Sequence, residues 1–554
     1  MHWDHEVDFL VVGSGGGGLT AALTAHAEGM KTLVVEKSAT YGGSTARSGG
    51  GVWIPNNFHL KMEGTEDSFE KAAAYMRHTV GDRVPWPRQE MYLRVGPVML
   101  AWLEANTEVR FQRMKGYPDY YPERPGGLAI GRSLEPVPFD GRLLGAHLKR
   151  LHPPAIDTRG MAITAAEYRH LALVMRTWKG KTTALRVGLR AVRDRFTGRR
   201  TLTMGQALVA RLRYSLLRWQ VPLWLETPLE DLVLEQGRVV GAVVQREGKA
   251  YTIRTRRGVL LAAGGFPHNP EMRREYLPNP TDTRWSLANP ANTGDAIRLG
   301  MAYGAAVDLM DDAWWGPVSL PPDLEVAFFH LSERSLPGSI LVNRAGRRFV
   351  NEAAPYIDVV HEMYRRHKPE DPHVPVYFIF DHRFRQRYMF GTLFPMQPVP
   401  STYRETGYLH VAPTLEELAK KMGIDPQGLQ ETVARFNAMA RQGRDEDFHR
   451  GESAYDRYYG DPTVKPNPNL APLDRSPFYG VAFYPGDIGT KGGLVTDEHA
   501  RVLRTDGTPI PGLYATGNTA ASVMGHTYPG PGATLGPALV FGYIAALHAA
   551  RGSR

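Results

Sequence analysis

Residues 13–18 read Gly13-Ser14-Gly15-Gly16-Gly17-Gly18, between the apolar run Asp8–Val12 and a helix-forming stretch from Leu19 to Gly29. Gly13 in this pattern permits a tight turn, Gly15 lets the backbone approach a pyrophosphate, and Gly18 lets a helix pack closely on the strand. Ser14 and Gly17 complete the loop. The helix would present free N–H groups and its positive dipole end to phosphate oxygens. A second apolar run, Lys31–Val35, ends at Glu36 and Lys37. A carboxylate about 20 residues after the glycines accepts from ribose hydroxyls. Taken alone these glycines are a flexible turn; in a strand–helix–strand setting they predict dinucleotide binding.

Two further segments select a flavin over a nicotinamide nucleotide. Gly42, Gly43, Ser44 and Thr45, then Ser48, Gly49, Gly50 and Gly51, form a second glycine-rich loop able to pass a bulky ring at backbone distance. Near the far end, Gly512-Leu513-Tyr514-Ala515-Thr516-Gly517-Asn518 reads as a strand and tight turn. A flavin needs such a return because its ribityl chain and ring run away from the first loop. A helix expected from about Ala533 to Arg551 follows Pro531-Gly532. Its positive end suits the flavin edge that gains negative charge on reduction.

Three clusters carry the remaining chemistry: Tyr117-Pro118-Asp119-Tyr120-Tyr121-Pro122, Asn351-Glu352-Ala353-Ala354-Pro355-Tyr356, and Gly525-His526-Thr527-Tyr528-Pro529-Gly530-Pro531-Gly532. They bring phenols and close-packed backbone. They lack the Arg and His pairs that would clamp two carboxylates. Tyr117 and Tyr121 are read as packing residues, and His526 as structural. Glu352 is read as a partner for backbone.

The elements that must position these groups follow from periodicity. Leu229–Val244 reads as two strands joined by a Gln236-Gly237 turn, and Gly258–Ala263 as a buried strand before Gly264. Helices are expected at Leu415–Gly423 and Leu429–Arg441, with a proline-rich loop at Tyr455–Pro472. Dinucleotide-domain features resume at Gly489. The order predicts an α/β, Rossmann-like nucleotide-binding domain over 1–284, a catalytic α+β insert over 285–488, and the rest of the first domain over 489–554. At 554 residues the chain exceeds one ordinary core.

Bulk composition narrows the function. With 42% hydrophobic and 22% charged residues the chain reads as globular. No run approaches the ~18 apolar residues of a membrane span, and Met1–Val7 is polar rather than secretory; a cytoplasmic location is expected. There are no cysteines, which excludes disulfides, zinc thiolates, iron–sulfur clusters and a thioether-linked flavin. No metal site is expected. The net charge of +9 concentrates in a basic helical insert at about 160–220, from Arg169 through Arg190 to Arg218. Interleaved apolar residues make these helices amphipathic. They are either a solvated insert or a contact for an anionic membrane surface. No recognition module for nucleic acid accompanies the charge.

The segments GSGGGG, VVEKSATYGGSTARSGGGVWIP, ANTGDA, GRRFVNE and GLYATGN resemble the fumarate reductase-like flavoprotein superfamily along nearly the whole chain. The resemblance implies a glutathione reductase/fumarate reductase-type FAD domain. It extends the FAD contacts to Leu229, Ala263, Gly264, Asn292, Asp295, Thr534 and Leu535. Some members link flavin through a histidine near 43–49; Ser44 and Thr45 stand here, so noncovalent FAD is expected.

PDYYPE, PGSI, the NE and PY pairs around 351–356, and MGHTYPGPG resemble the 3-ketosteroid Δ1-dehydrogenases more closely still. By that resemblance, Tyr528 and the Gly532 N–H bind the substrate C3 carbonyl. Tyr356 is the base that removes a C2 proton, Tyr120 assists it, and flavin N5 accepts hydride from C1. The chemistry suits these residue types. Two donors on O3 stabilise a developing enolate, each typically worth about 3–4 kcal/mol. A free tyrosine, with pKa near ~10, is a weak base unless its phenolate is stabilised. An apolar tetracycle such as androst-4-ene-3,17-dione needs a greasy slot with one polar end. Trp53, Trp314, Trp315, Phe328, Phe329 and Met524 are its candidate walls, though the tryptophan pair is equally read as packing. A role in steroid metabolism and degradation follows. A Δ4-(5α)-dehydrogenase, a non-steroid relative such as a dicarboxylate reductase, and a non-catalytic flavin-binding module are the alternatives. The electron acceptor is expected to be a quinone or a dye-like molecule.

Overall fold

The computed structural model describes residues 2–155, 158 and 160–552. The ends of the expected first and last segments, Met1, Ser553 and Arg554, lie outside the described residues, as do Ile156, Asp157 and Arg159.

The first apolar run forms the strand His5–Val12, whose Phe9, Leu10 and Val11 are fully buried. It pairs in parallel with Thr32–Val35 on one side and Lys249–Leu261 on the other. The latter pairs in parallel with Pro509–Ala515, and Thr32–Val35 with Leu223–Trp224. Such strands are buried on both faces, which explains their continuous apolar runs. The helices Gly16–Ala27 and Leu535–Arg551 pack against one another beside this sheet. Gly17 and Gly542 allow it: a Cβ on Gly17 would meet the Ala538 carbonyl oxygen at 2.6 Å, and one on Gly542 the Gly17 oxygen at 2.3 Å, while Gly18 lets the first helix sit close on the turn, where a Cβ would meet the Gly13 oxygen at 2.2 Å. This is the Rossmann-like arrangement of parallel strands and helices expected from the sequence.

A second, antiparallel sheet holds Ala313–Ser319, Phe478–Thr490, Val376–Asp381 and Ser339–Val342, with Phe328–Phe329 and His410–Ala412 at its margins. The helix Tyr356–Arg366 packs against Ala313–Ser319. Further helices, Leu415–Met422 and Pro426–Gln442, start at Thr414 and Asp425, whose side chains accept first-turn N–H bonds.

Several expectations need adjustment. The expected strand Gly258–Ala263 is the end of the longer Lys249–Leu261. The terminal helix starts at Leu535 rather than Ala533, after a turn through Gly532 at φ +95°. A short helix, Ala454–Tyr458, overlaps the start of the expected 455–472 loop. The basic insert divides in two. Ala165–Ala172 and Trp178–Thr197 form an outer helix pair. Met204–Arg218 is instead a core helix against Gly16–Ala27, with Leu208, Leu212 and Leu216 fully buried. Its Arg211 is spent on the carbonyls of Glu108, Val137 and Pro138. That helix is not part of any membrane-facing surface.

Candidate active site

A cavity of about 360 Å³ runs from the Gly13–Gly18 turn to Tyr120, Tyr356 and Tyr528. Every cofactor residue expected from the sequence lines it except Gly42. Gly42 stands behind the wall at φ +109°, its N–H donating to Ser14 Oγ at 3.0 Å. A side chain there would run into Val209. Its positive φ lets the second glycine loop turn.

The cradle is built mostly from backbone. Neither Gly15 nor Thr534, the residues preceding the two helices, supplies a side-chain cap, so both helix starts keep N–H groups for a ligand. The Glu36 carboxylate accepts from Ser14 N at 3.1 Å, Ser14 Oγ at 2.7 Å and Ser38 N at 2.9 Å. It thereby locks the first glycine turn to the second strand while still lining the cavity. Thr45 Oγ1 accepts from Gly16 N at 2.9 Å. Ser44 Oγ accepts from Asn292 Nδ2 and Asn289 N, both at 2.9 Å, tying the second loop to the 289–292 turn. Lys37 Nζ sits 2.6 Å from Asp295, whose carboxyl is held below the usual carboxylate range by Lys37 against the opposing effect of burial. A long, glycine-walled channel with two helix starts that lack an N-cap side chain fits a dinucleotide extending into a flat ring.

At the other end the three tyrosine clusters converge. Tyr356 opens the helix Tyr356–Arg366, and its hydroxyl accepts from Tyr120 at 3.0 Å. The Tyr356 and Tyr528 rings meet edge to face, 5.5 Å between centres at 79°. Tyr528 lies 3.4 Å, oxygen to oxygen, from Thr534. Burial pushes all three phenols up; a hydrogen bond from Tyr120 pulls Tyr356 back, and bonding from Thr534, Tyr356 and the Gly532 backbone does so for Tyr528. Tyr528 itself is gripped through its loop. The Pro529 carbonyl accepts from Tyr120 N at 2.9 Å and from Tyr75 Oη at 2.6 Å, and the Pro531 carbonyl from Ser133 Oγ at 2.6 Å. Behind Tyr120, Asp119 is buried against Arg132 and accepts from Trp53 Nε1 at 2.8 Å.

Tyr121 donates to the buried Asp358 at 2.9 Å, in keeping with a packing role. Tyr117 is more than packing: it lines the cavity, and Tyr459 donates to its hydroxyl at 2.6 Å. His526 faces Asp311 at 3.4 Å, near the surface. Glu352 accepts from Leu341 N at 3.2 Å and is ion-paired with Arg348 at 2.7 Å and Arg450 at 3.3 Å. Of the expected slot residues only Phe329 reaches the cavity. Trp53 packs against Gly530, Trp314 edge-on against Tyr528 at 4.8 Å, and Trp315 donates to Asp312 at 2.7 Å. Phe328 packs on His330, and Met524 is fully buried outside the lining. A buried indole N–H needs an acceptor: Trp53 and Trp315 find theirs in Asp119 and Asp312, outside the cavity lining, and Trp314 finds its own in the lining residue Asn518 at 3.0 Å. Met114, Leu287, Leu331 and Ile488 line it instead; isolated apolar residues in mixed segments carry no sequence signal.

Residues 8–535 match the FAD binding domain family. Along 98% of its length the chain is 48% identical to the 3-oxosteroid 1-dehydrogenase of Mycolicibacterium smegmatis, covering 97% of that protein. The chain belongs to this flavoprotein family. The solved 3-ketosteroid delta1-dehydrogenase of Sterolibacterium denitrificans, in complex with 1,4-androstadiene-3,17-dione, superposes with a TM-score of 0.94 at 42% identity, covering 99% of this chain and 100% of that one. A 4-oxocyclohexanecarboxylate 2-dehydrogenase of Sinomonas cyclohexanicum is 36% identical over 97% of this chain and 92% of its own. As a member of the 3-oxosteroid 1-dehydrogenases the chain is an FAD-dependent oxidoreductase. Among the described residues no helix is long and apolar enough to cross a membrane.

Proposed function

We propose that the chain desaturates the C1–C2 bond in ring A of 3-ketosteroids, with Tyr528, Gly532, Tyr356 and Tyr120 as the working groups. The observation that carries this reading is the convergence of three phenols from distant segments at one end of a glycine-walled cavity. The Tyr528 hydroxyl and the Gly532 N–H hold the ketone oxygen. Their donation strengthens as charge develops there, which makes the adjacent C2–H more acidic. Tyr356 takes the C2 proton, and Tyr120 donates to the Tyr356 oxygen as negative charge arrives. Bound FAD supplies the hydride acceptor. Met114, Phe329, Leu331 and Ile488 exclude water and hold the apolar skeleton by burial.

No histidine or cysteine lines the cavity among the described residues, which supports a noncovalent flavin. The absence of a second glycine fingerprint in the sequence favours a quinone or dye-like acceptor. The concentration of the six-stranded sheet between 313 and 490 supports a catalytic domain over 285–488, between FAD-domain segments 1–284 and 489–554.

The outer helix pair supports peripheral contact with an anionic lipid surface. Trp178 is 79% exposed and Phe196 85%, and Leu185, Leu189 and Val192 continue the stripe between them. Lys179, Lys181, Arg186 and Arg195 flank it. Ala165, the first residue of this pair, also lines the cavity, which supports a link between the two.

Anaerobic titration with androst-4-ene-3,17-dione tests the reading. The oxidised-flavin band bleaches stoichiometrically, and a saturated 5α-3-ketosteroid yields the Δ1 product. A Δ4 product transfers the assignment to the neighbouring bond. A flavin left oxidised by every 3-ketosteroid ends it.

A further inference from the structure

The ketone-facing loop is gripped from one side by Tyr75, Tyr120 and Ser133. On its other side sits a buried cation that the proposed chemistry does not use. Lys491 is fully buried, one residue past the strand Phe478–Thr490. Its Nζ donates to the Gly525 carbonyl at 2.8 Å and to the Thr527 carbonyl at 2.6 Å. Thr527 directly precedes Tyr528. The ammonium also lies 4.5 Å from the centre of the Trp314 ring, whose edge contact supports Tyr528.

The fourth neighbour of this ammonium is Asp312 Oδ2 at 3.5 Å. Backbone fixes the pair, since Lys491 N donates to the Asp312 carbonyl at 3.0 Å and Ser522 N to the Lys491 carbonyl at 3.1 Å. The other Asp312 oxygen accepts from Trp315 Nε1 at 2.7 Å and lies 2.8 Å from His361 Nε2. His361 belongs to the helix that opens at Tyr356. One chain of contacts therefore runs from the Tyr528 loop through Lys491, Asp312 and His361 to the helix of the base.

A buried ion pair is a poor way to gain stability, because desolvation offsets much of its attraction. Its distinctive property is geometric: an ammonium with two carbonyl acceptors and a carboxylate admits few arrangements of the loop it holds. We propose that Lys491 is a positioning residue which, through Asp312 and His361, keeps the Tyr528 hydroxyl in register with the Tyr356 phenol. The proposal rests on the roles given above to those two tyrosines. Proton abstraction needs the ketone oxygen and the C2–H presented together, and a displacement of about 1 Å can cost about a hundredfold in rate.

The test uses the holoenzyme and Lys491→Met, with all rates expressed per bound flavin. Two quantities are read: steady-state turnover, and exchange of the steroid C2 hydrogen into D2O on the anaerobically reduced enzyme. The exchange needs the ketone donors and the base but no hydride acceptor. In Lys491→Met both fall about a hundredfold, while flavin occupancy and the KM for the electron acceptor stay near wild type. His361→Ala, at a partly exposed position, lowers both in the same direction by about tenfold. It decides the matter by the same criteria if the methionine variant does not fold. Both rates remaining within about twofold of wild type overturns the proposal; so does a fall that merely tracks flavin loss. Wild-type enzyme that neither turns over nor exchanges with any 3-ketosteroid defeats the functional reading, and this inference with it. Active wild type with unaffected variants defeats the positioning role alone.

Discussion

The Tyr120 hydroxyl donates to the Tyr356 hydroxyl across 3.0 Å, joining a loop and a helix start separated by 236 residues. The direction of that bond matters. A phenol that accepts a hydrogen bond is readied to carry negative charge, and burial otherwise opposes that charge. In the proposed reaction the pair divides labour: Tyr356 moves the proton and Tyr120 stabilises the charge that the move creates.

Substitution separates the two roles. Tyr356→Phe removes the base and lowers kcat by about 10²–10⁴-fold. Tyr528→Phe removes one ketone donor and costs about 10²–10³-fold. Tyr120→Phe loses one supporting bond and costs about tenfold. Flavin occupancy stays near wild type in all three, since none of these hydroxyls builds the glycine-walled channel. Turnover per bound flavin checks the ranking; a Tyr120→Phe defect equal to that of Tyr356→Phe contradicts it.

The pH dependence follows from the same burial. The Tyr356 phenol is pushed well above its ordinary range, so its ionised fraction is small at neutral pH and grows about tenfold per unit below its pKa. The kcat/KM profile therefore climbs through pH 7–9, and Tyr356→Phe removes the climb. Stability has the opposite sign. Buried Tyr117, Tyr120 and Tyr459 also have raised values, so folding favours their neutral forms. That contribution is complete below the unfolded-chain value of about 10 and is lost as pH rises beyond it. Thermal melts followed from neutral pH to pH 11 show the decline, and a flat rate profile excludes the tyrosine base.

The outer helix predicts lipid dependence. Co-sedimentation with vesicles containing phosphatidylserine retains the wild-type enzyme at low salt and releases it at high salt. Trp178→Ala combined with Phe196→Ala weakens binding by about tenfold or more, given the apolar area removed. Turnover of steroid supplied in detergent-free solution is unchanged in the double variant. Equal sedimentation of variant and wild type assigns the exposed stripe no lipid contact.

The parts of this structure legible from sequence are those encoded locally. The Gly13–Gly18 turn, its two strands and Glu36 follow from spacing alone, because each glycine answers a steric demand within a few residues. The Gln236-Gly237 hairpin is equally local. The strand Lys249–Leu261 is only half legible: Arg254, Arg256 and Arg257 are exposed and break the apolar run that marks its buried end. The Met204–Arg218 helix misleads for the converse reason. Arg211 and Arg213 suggest a surface, whereas Arg211 is satisfied by distant carbonyls and Arg213 lies 5.8 Å from the centre of the Tyr41 ring. The three tyrosine clusters stand out by type, but their convergence depends on the order of two sheets, which no local pattern records. Lys491 escapes notice entirely, since a lone lysine beside glycines gives no hint of burial.

The pocket wall joins the two extremes of the chain: Gly13 and Leu535 face the same cavity, and the strand Pro509–Ala515 completes the sheet begun by His5–Val12. The nucleotide-binding sheet therefore keeps an uncovered edge until residues 509–515 pair with Lys249–Leu261, and its cradle lacks one wall until Leu535–Arg551 docks on Gly16–Ala27.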